Sequence, residues 1–367
     1  MPLAQLFHAE DLKAYIIRFF TRLNVPEKHA VTSAEILTSA DLRGVSSHGI
    51  IRLHSYYGSR ILKGLIDPLS PFSIARETST TLLMDGGNGL GMVVGYDAMQ
   101  RCIEKASQSG VAFVSVRNSN HYGIAGYYAM MALAHDMIGI SFTNAQPLVA
   151  PTYARAPMLG TNPIAVAAPA LHQRPYVLDM ATSIVPIGKV TVYDKSGYSM
   201  PEGWGIDREG QVTSDPKKVL QGGALMPLGG IDLMRGYKGY GLALLVDIFS
   251  GILSGAATSL QVGAPGRDEP ANVGHFFAAV RIDAFRAPQD FKTDLDQLIQ
   301  TLKDAPKATG QDRIYIHGEK EFELAEKNAR EGIPLLEEVI KGLRAGGEIV
   351  GVPFDLQPIG ITTAEEG

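Results

Sequence analysis

Apolar residues recur at helical spacing over 9 to 23, "AEDLKAYIIRFFTRL", and again from 27 to 65, which predicts an N-terminal quarter that is mostly helical. The second run is interrupted by "LRGVSSHG", where Gly44 relaxes the turn and Ser46 or Ser47 caps the next helical segment. From residue 80 the pattern changes to short apolar runs separated by glycine and polar turns. "TTLLMDG" reads as a strand entering a glycine turn, "GMVVGYDAMQRCIEKASQSG" as a helix ending near Gly110, and "VAFVSVRNSNHYG" as a strand running out into a polar loop. A small-residue helix, "IAGYYAMMALAHD", and three strands, "MIGISFTNA", "PIAVAAPA" and "YVLDMA", come next. The turn-rich stretch 194–217 is expected outside the main sheet. "YGLALLVDIFSGILSGAA", 240–257, reads as a buried helix rather than a membrane span, because it is short and contains Asp247 and several glycines. "HFFAAVRIDAF" gives a further strand, 287–308 a helix, and 321–345 two helices joined at "EGIP"; the acidic tail after 360 is expected to be loose.

Alternation between 80 and 180 implies an α/β protein with a mixed sheet and a helical N-terminal region. It is not a Rossmann fold: no G-x-G-x-x-G follows an early strand, and the glycines of "GGNGLGMVVG" lack the acidic residue that should end a second strand about twenty residues on. The 367 residues are 45% hydrophobic and 19% charged, enough to bury a large core. A formal charge of -5 argues against nucleic acid as the main partner. The single cysteine, Cys102, permits neither an intrachain disulfide nor a cysteine zinc cluster. With acidic residues by position 11 and no basic-then-apolar start, a soluble cytoplasmic protein without membrane contact is expected.

If 47–58 is an α-helix, His48, Arg52 and Tyr56 share one face, with His54 on another. That face suits an anionic substrate, since guanidinium grips a carboxylate with two parallel bonds and imidazole moves a proton near neutrality. An alternative is that Arg52 is solvated and His48 only caps or packs. In "RNSNHYG", His121 is a proton-transfer candidate oriented by Asn118 or Asn120, or a loop histidine satisfying backbone groups. Gly160, Thr161 and Asn162 offer donors to an anion, or simply make a turn. Asp179 suits an imidazole or a ribose hydroxyl, and Lys238, opening a helix, suits a phosphate or the solvent. No metal-ligand spacing, G-x-S-x-G, Walker A or H-E-x-x-H occurs.

Taken together, "SSHGIIRLHSYY", "RNSNHYGIAGYYA", "TNAQPLVAPTYARAPMLGTNPIA", "LDMATS", "GYKGYGLALLVDIFSG" and "HFFAAVRIDAF" resemble, in this order, the type-2 malate/L-lactate dehydrogenase family. The resemblance runs from about 5 to 345 and implies that family's mixed-sheet fold. It implies a nicotinamide-dependent oxidoreductase, using NAD or NADP, that interconverts a 2-hydroxyacid and a 2-oxoacid, and a homodimer with its active site near the subunit contact. His48 and His121 match the two catalytic candidates for proton transfer, either of which serves in that role in family members, and Ser47, Arg52, Tyr56, Asn144 and Thr161 match substrate-binding positions. The cofactor positions are Val177, Leu178, Asp179, Met180, Ala181, Thr182, Ser183, Tyr237, Lys238, His317, Gly318 and Glu319. Residues 1–75 are expected to carry substrate-site residues and pack with the C-terminal helices. Segments 76–120 and 285–350 would complete the substrate-side domain, and 121–284 would form the cofactor domain. The "NSNHYG" loop favours an open-chain substrate, malate and oxaloacetate first, over lactate and pyruvate or a ring imine. An isomerase or hydro-lyase using the same histidines without a nicotinamide, and a non-catalytic metabolite-binding protein, are the rival classes.

Overall fold

A computed structural model describes residues 3–263 and 267–363. The chain opens with β1 (Leu3–Phe7), α1 (Ala9–Arg22) and α2 (Glu27–Leu42), then passes through a tight turn and a wide helical turn into α3 (Ser59–Leu62). Next come β2 (Ser73–Glu77), β3 (Thr81–Asp85), α4 (Gly91–Ser109), β4 (Val111–Ser119), α5 (Ala125–Met131), β5 (Met137–Thr143), β6 (Ile164–Ala168) and β7 (Tyr176–Met180). The chain then makes a small excursion through α6 (Ile187–Ser196), β8 (Gly205–Ile206), β9 (Val212–Thr213), α7 (Pro216–Leu220) and β10 (Ala224–Leu225). It ends with α8 (Tyr237–Asp247), β11 (Val273–Arg281), α9 (Pro288–Asp304), α10 (Glu319–Glu331), β12 (Ile333–Leu336), α11 (Glu337–Val350) and β13 (Gly360–Thr363).

Seven strands form the central sheet in the order β2-β3-β4-β11-β5-β6-β7. Only β3 and β4 run parallel, joined through α4; the other pairings are antiparallel. β11 sits mid-sheet, and the near-continuous apolar run of "VGHFFAAVR" is what a strand covered on both faces requires. α4 and α5 pack against the sheet, with α1 and α2 outside them. In α1, Leu12, Tyr15, Ile16, Phe19 and Phe20 are buried at i, i+3, i+4, i+7 and i+8, each contributing roughly 1.5–3 kcal/mol of burial. α4 stops at Gly110, whose φ of 87° closes the helix in a conformation that costs a side-chain residue strain. As expected, 194–217 lies outside the main sheet, in the three-stranded β10-β8-β9.

Four expectations need correction. The boundary expected at 120/121 cuts the central sheet, because β11 pairs on one side with β4 and on the other with β5. "EGIP" is no bare joint: Ile333–Leu336 is a strand antiparallel to β1, whose backbone partners lie too far away in sequence to leave a local signal. The segment after 360 begins with Gly360–Thr363, which pairs along the other edge of β1, while 364–367 lie outside the described residues. The apolar 240–257 segment is not wholly buried. One side, through Phe249, packs on Phe142 and Phe276 of the sheet. The other leaves Leu244, Leu245, Ile248, Ile252 and Leu253 exposed, since a helix apolar all round has no side to turn to water. No helix among the described residues is long and apolar enough to cross a membrane.

Candidate active site

The wall of the site grows out of the end of α2. Asp41, buried there, accepts a hydrogen bond from the Ile50 N–H at 2.7 Å and so folds the segment after Gly44 back over itself. Gly49 is required by this contact: a Cβ would lie 2.0 Å from the Asp41 carboxylate. Burial pushes that carboxyl up to about 7, with the Ile50 bond opposing. Residues 47–58 are therefore not the α-helix that the spacing predicts. Ser46–His48 form a 3₁₀ turn and Leu53–Gly58 a π-helical turn. Such wide turns recur at functional sites, because they re-aim side chains that an α-helix would separate.

Arg52 is anchored by its Nε, which donates to the Ser47 carbonyl at 2.8 Å, and its two terminal nitrogens have no partner among the described residues. Ser47 Oγ is 2.8 Å from His48 Nδ1. The His48 ring stacks on His121 with centroids 5.4 Å apart. Tyr56 and Tyr57 both reach His121, at 5.4 and 5.9 Å between rings, so Ser47, His48, Arg52, Tyr56 and His121 do come together. His54 lies apart, between Phe19 and Gly346. Burial, then the Arg52 charge, lowers the His48 imidazole to about 4. Burial, then His48 and Arg52, holds His121 well below its usual range. Both shifts favour the neutral ring at pH 7, and among the described residues neither Nε2 has a protein partner or is sealed from solvent.

The asparagines do not orient His121. Asn118 Nδ2 donates to Asp85, and Asn120 Nδ2 donates to the carbonyls of Asn88 and Gly89, holding the loop rather than the imidazole. Tyr57, which sequence reasoning passed over, takes that place with its hydroxyl 2.7 Å from His121 Nδ1. Arg60 was also missed: its guanidinium lies 5.4 Å over the Tyr56 ring, one terminal nitrogen donates to the Glu269 carbonyl, and its buried Nε has no partner among the described residues. The signal was present in "SYYGSR": helical periodicity places Tyr57 off the His48 face, while Arg60 continues the four-residue spacing from Tyr56 beyond the segment read as helix.

Asn144 stands apart, and its amide is fully engaged. It donates to Asp247 and Ala257 and accepts from the Gly274 N–H. Thr161 supplies its carbonyl to the N–H and hydroxyl of Thr182. The three segments expected to hold the cofactor converge on β7 and the residues that leave it. Val177 N–H donates to the His317 carbonyl, and a Cβ on Gly318 would lie 2.9 Å from Val177. Thr182 accepts from Leu228 N–H, and Gly239, at the start of α8, approaches Leu228 so closely that a Cβ would lie 2.3 Å from its carbonyl. Leu178 and Met180 share β7 with Asp179, Ala181 follows it, and the Thr182 and Ser183 hydroxyls donate to backbone carbonyls. Tyr237 and Lys238 are exposed, whereas Glu319 is buried against Lys303 and Arg313 and accepts from Ile316 N–H. Asp179 links the two halves: it accepts from Gly126 N–H at the start of α5. Asp179 is solvent-exposed, yet the protein packed around it raises its carboxyl to about 6, with Gly126 and Arg43 opposing. A cavity of about 390 Å³ beside Tyr153 and Met226 contains none of these residues.

This sheet and cleft define a mixed α/β class distinct from the dinucleotide-binding crossover folds. The chain belongs to the malate/L-lactate dehydrogenase family, whose model matches residues 7–344. It is an oxidoreductase acting on a 2-hydroxyacid, and the family works with a nicotinamide cofactor. A malate dehydrogenase of Pyrococcus abyssi is 47% identical over 94% of each chain. An L-sulfolactate dehydrogenase of Methanocaldococcus jannaschii is 39% identical over 85% of this chain and 88% of its own. The solved structure of malate dehydrogenase from Pyrococcus horikoshii superposes with a TM-score of 0.88 at 45% identity, covering 95% of this chain and 96% of that one.

Proposed function

We propose that the protein interconverts malate and oxaloacetate with NAD or NADP, using the cleft between the His48–Arg52 wall and the end of β7. The observation that carries this reading is the free fork of Arg52 beside two neutral imidazoles with open Nε2 atoms. Arg52 grips the substrate carboxylate through two parallel bonds and so fixes C2, an orientation that lowers the barrier by several kcal/mol in a closed pocket. His48 and His121 exchange hydrogen bonds and a proton with the oxygen on C2. A dicarboxylate needs a second cation, and Arg60 supplies it on the Tyr56 side. That choice is supported by the malate dehydrogenases at 47–48% identity.

The edge of β7 fits a nicotinamide dinucleotide. Close packing at Gly239 and Gly318 draws the three segments together there, the Lys238 ammonium is exposed, and Asp179, exposed as well, engages Gly126 through one oxygen. Lys238 would hold phosphate and Asp179 a ribose hydroxyl. When bound, the cofactor supplies or accepts the hydride at C2. The exposed apolar side of 244–253 supports a homodimer, with the cleft near the contact, because a patch of that character on a folded chain marks an interface. The location is read as cytoplasmic.

The test is a panel of oxaloacetate, pyruvate, 3-sulfopyruvate and a cyclic imine with NADH and with NADPH, followed by nicotinamide absorbance. Turnover highest with oxaloacetate is expected. Turnover only with the cyclic imine would overturn the substrate class, and sedimentation as a monomer would overturn the dimer.

A further inference from the structure

We propose that Tyr57 is a positioning residue that locks His121 in the tautomer carrying its proton on Nε2. Two groups meet His121 Nδ1: the Tyr57 hydroxyl at 2.7 Å and the Gly123 N–H at 3.3 Å. A backbone N–H only donates, so the Gly123 contact disfavours a proton on Nδ1, but at 3.3 Å it is long, and the shorter Tyr57 bond is the one that holds the tautomer. The Tyr57 hydroxyl is then the second donor. Gly123 has a φ of 86°, in the region that favours glycine, and a Cβ there would lie 2.8 Å from Ile36. Tyr57 itself is fully buried and edge-packed against Phe20 and Tyr56, so its hydroxyl has one direction to point.

The functional consequence rests on the proposed 2-hydroxyacid reaction. With Nδ1 occupied, the open Nε2–H of His121 faces the substrate oxygen as a donor. It stabilises negative charge growing on that oxygen, but in this tautomer it cannot take a proton from a C2 hydroxyl. Proton exchange then falls to His48, the other open imidazole of the stack. Beyond Tyr57, the groups facing His121 are His48, Arg52, Tyr56 and the buried His275.

The test is long-range ¹H–¹⁵N correlation on the full chain labelled with ¹⁵N-histidine, near pH 7 and without substrate. The His121 signals are assigned by their loss in His121→Gln. An unprotonated Nδ1 and a protonated Nε2 are expected in the wild type. Tyr57→Phe, which keeps the ring, should shift His121 toward the Nδ1–H form. It should also lower kcat for the 2-oxoacid about tenfold or more with KM nearly unchanged. A protonated Nδ1 in the wild type overturns the proposal. So does a Tyr57→Phe variant that keeps the wild-type tautomer, or one that changes tautomer with kcat intact. A wild type with the expected tautomer but no turnover on any 2-oxoacid would overturn the proposed reaction and leave the Tyr57–His121 assignment standing.

Discussion

His121 lies just past the end of β4 and His275 within the neighbouring β11, and both are held by hydroxyls among aromatic rings. Burial depresses both imidazoles, His275 to about 3. They differ in what is left over. Thr143 donates to backbone carbonyls and so accepts from His275 Nδ1, while Ser119 donates to Nε2; the ring also lies parallel to Tyr122 at 4.6 Å. No nitrogen of His275 remains for a ligand. His121 has its Nδ1 filled and its Nε2 open. A shifted pKa therefore does not by itself mark a working group; an unfilled atom on a cleft does.

The sharpest way to break this contrast is to remove the open nitrogens. His48→Ala is expected to lower kcat by about 10²–10⁴-fold with thermal stability kept. Near wild-type turnover across the pH range would end its role in proton exchange. Arg52→Gln should cost roughly 1.5–3 kcal/mol of transition-state binding, a ten- to hundredfold fall in kcat/KM for oxaloacetate. On the other side of the comparison, His275→Gln should lower stability by about 1–3 kcal/mol in chemical denaturation while turnover persists.

The same variant carries a pH signature. An unfolded imidazole titrates near 6.5 and the folded His275 near 3, so between these values the unfolded chain holds a proton that the folded one does not. Wild-type stability then falls as pH drops through that window, and His275→Gln should flatten the slope by up to one proton's share, about 1.4 kcal/mol per pH unit. An unchanged slope would count against a neutral His275. The smallest effect expected is in Arg60→Gln, which should raise KM for oxaloacetate by about tenfold relative to pyruvate if Arg60 meets the second carboxylate. An equal change for both substrates would remove that role.

Much of this was legible in the sequence. Leu12, Tyr15, Ile16, Phe19 and Phe20 announce α1, and "HFFAAVR" announces a strand covered on both faces. The residues that meet in the cleft, Ser47 to Tyr56 with His121, were readable from their motifs. Their geometry was not, because "HSYYGS" has helical composition, and only the Asp41–Ile50 bond and packing beneath it select a π turn that brings Tyr57 to His121. Asn118 and Asn120 look like partners of an imidazole in sequence, yet Asp85, Asn88 and Gly89, more than thirty positions upstream, claim their amides. Short strands such as Ile333–Leu336 and Gly360–Thr363 are equally silent, since what defines them is a distant partner rather than a local alternation.

That partner is β1, and its position has a consequence for how the molecule is made. Leu3 pairs with Thr363 and Ala4 with Leu336, so β1 meets its two neighbours only after β12 and β13 have been made. Until then Leu3–Phe7 presents two bare edges to other chains. Losing Gly360–Thr363 would leave one of those edges open for good, which makes that short strand a safeguard against self-association.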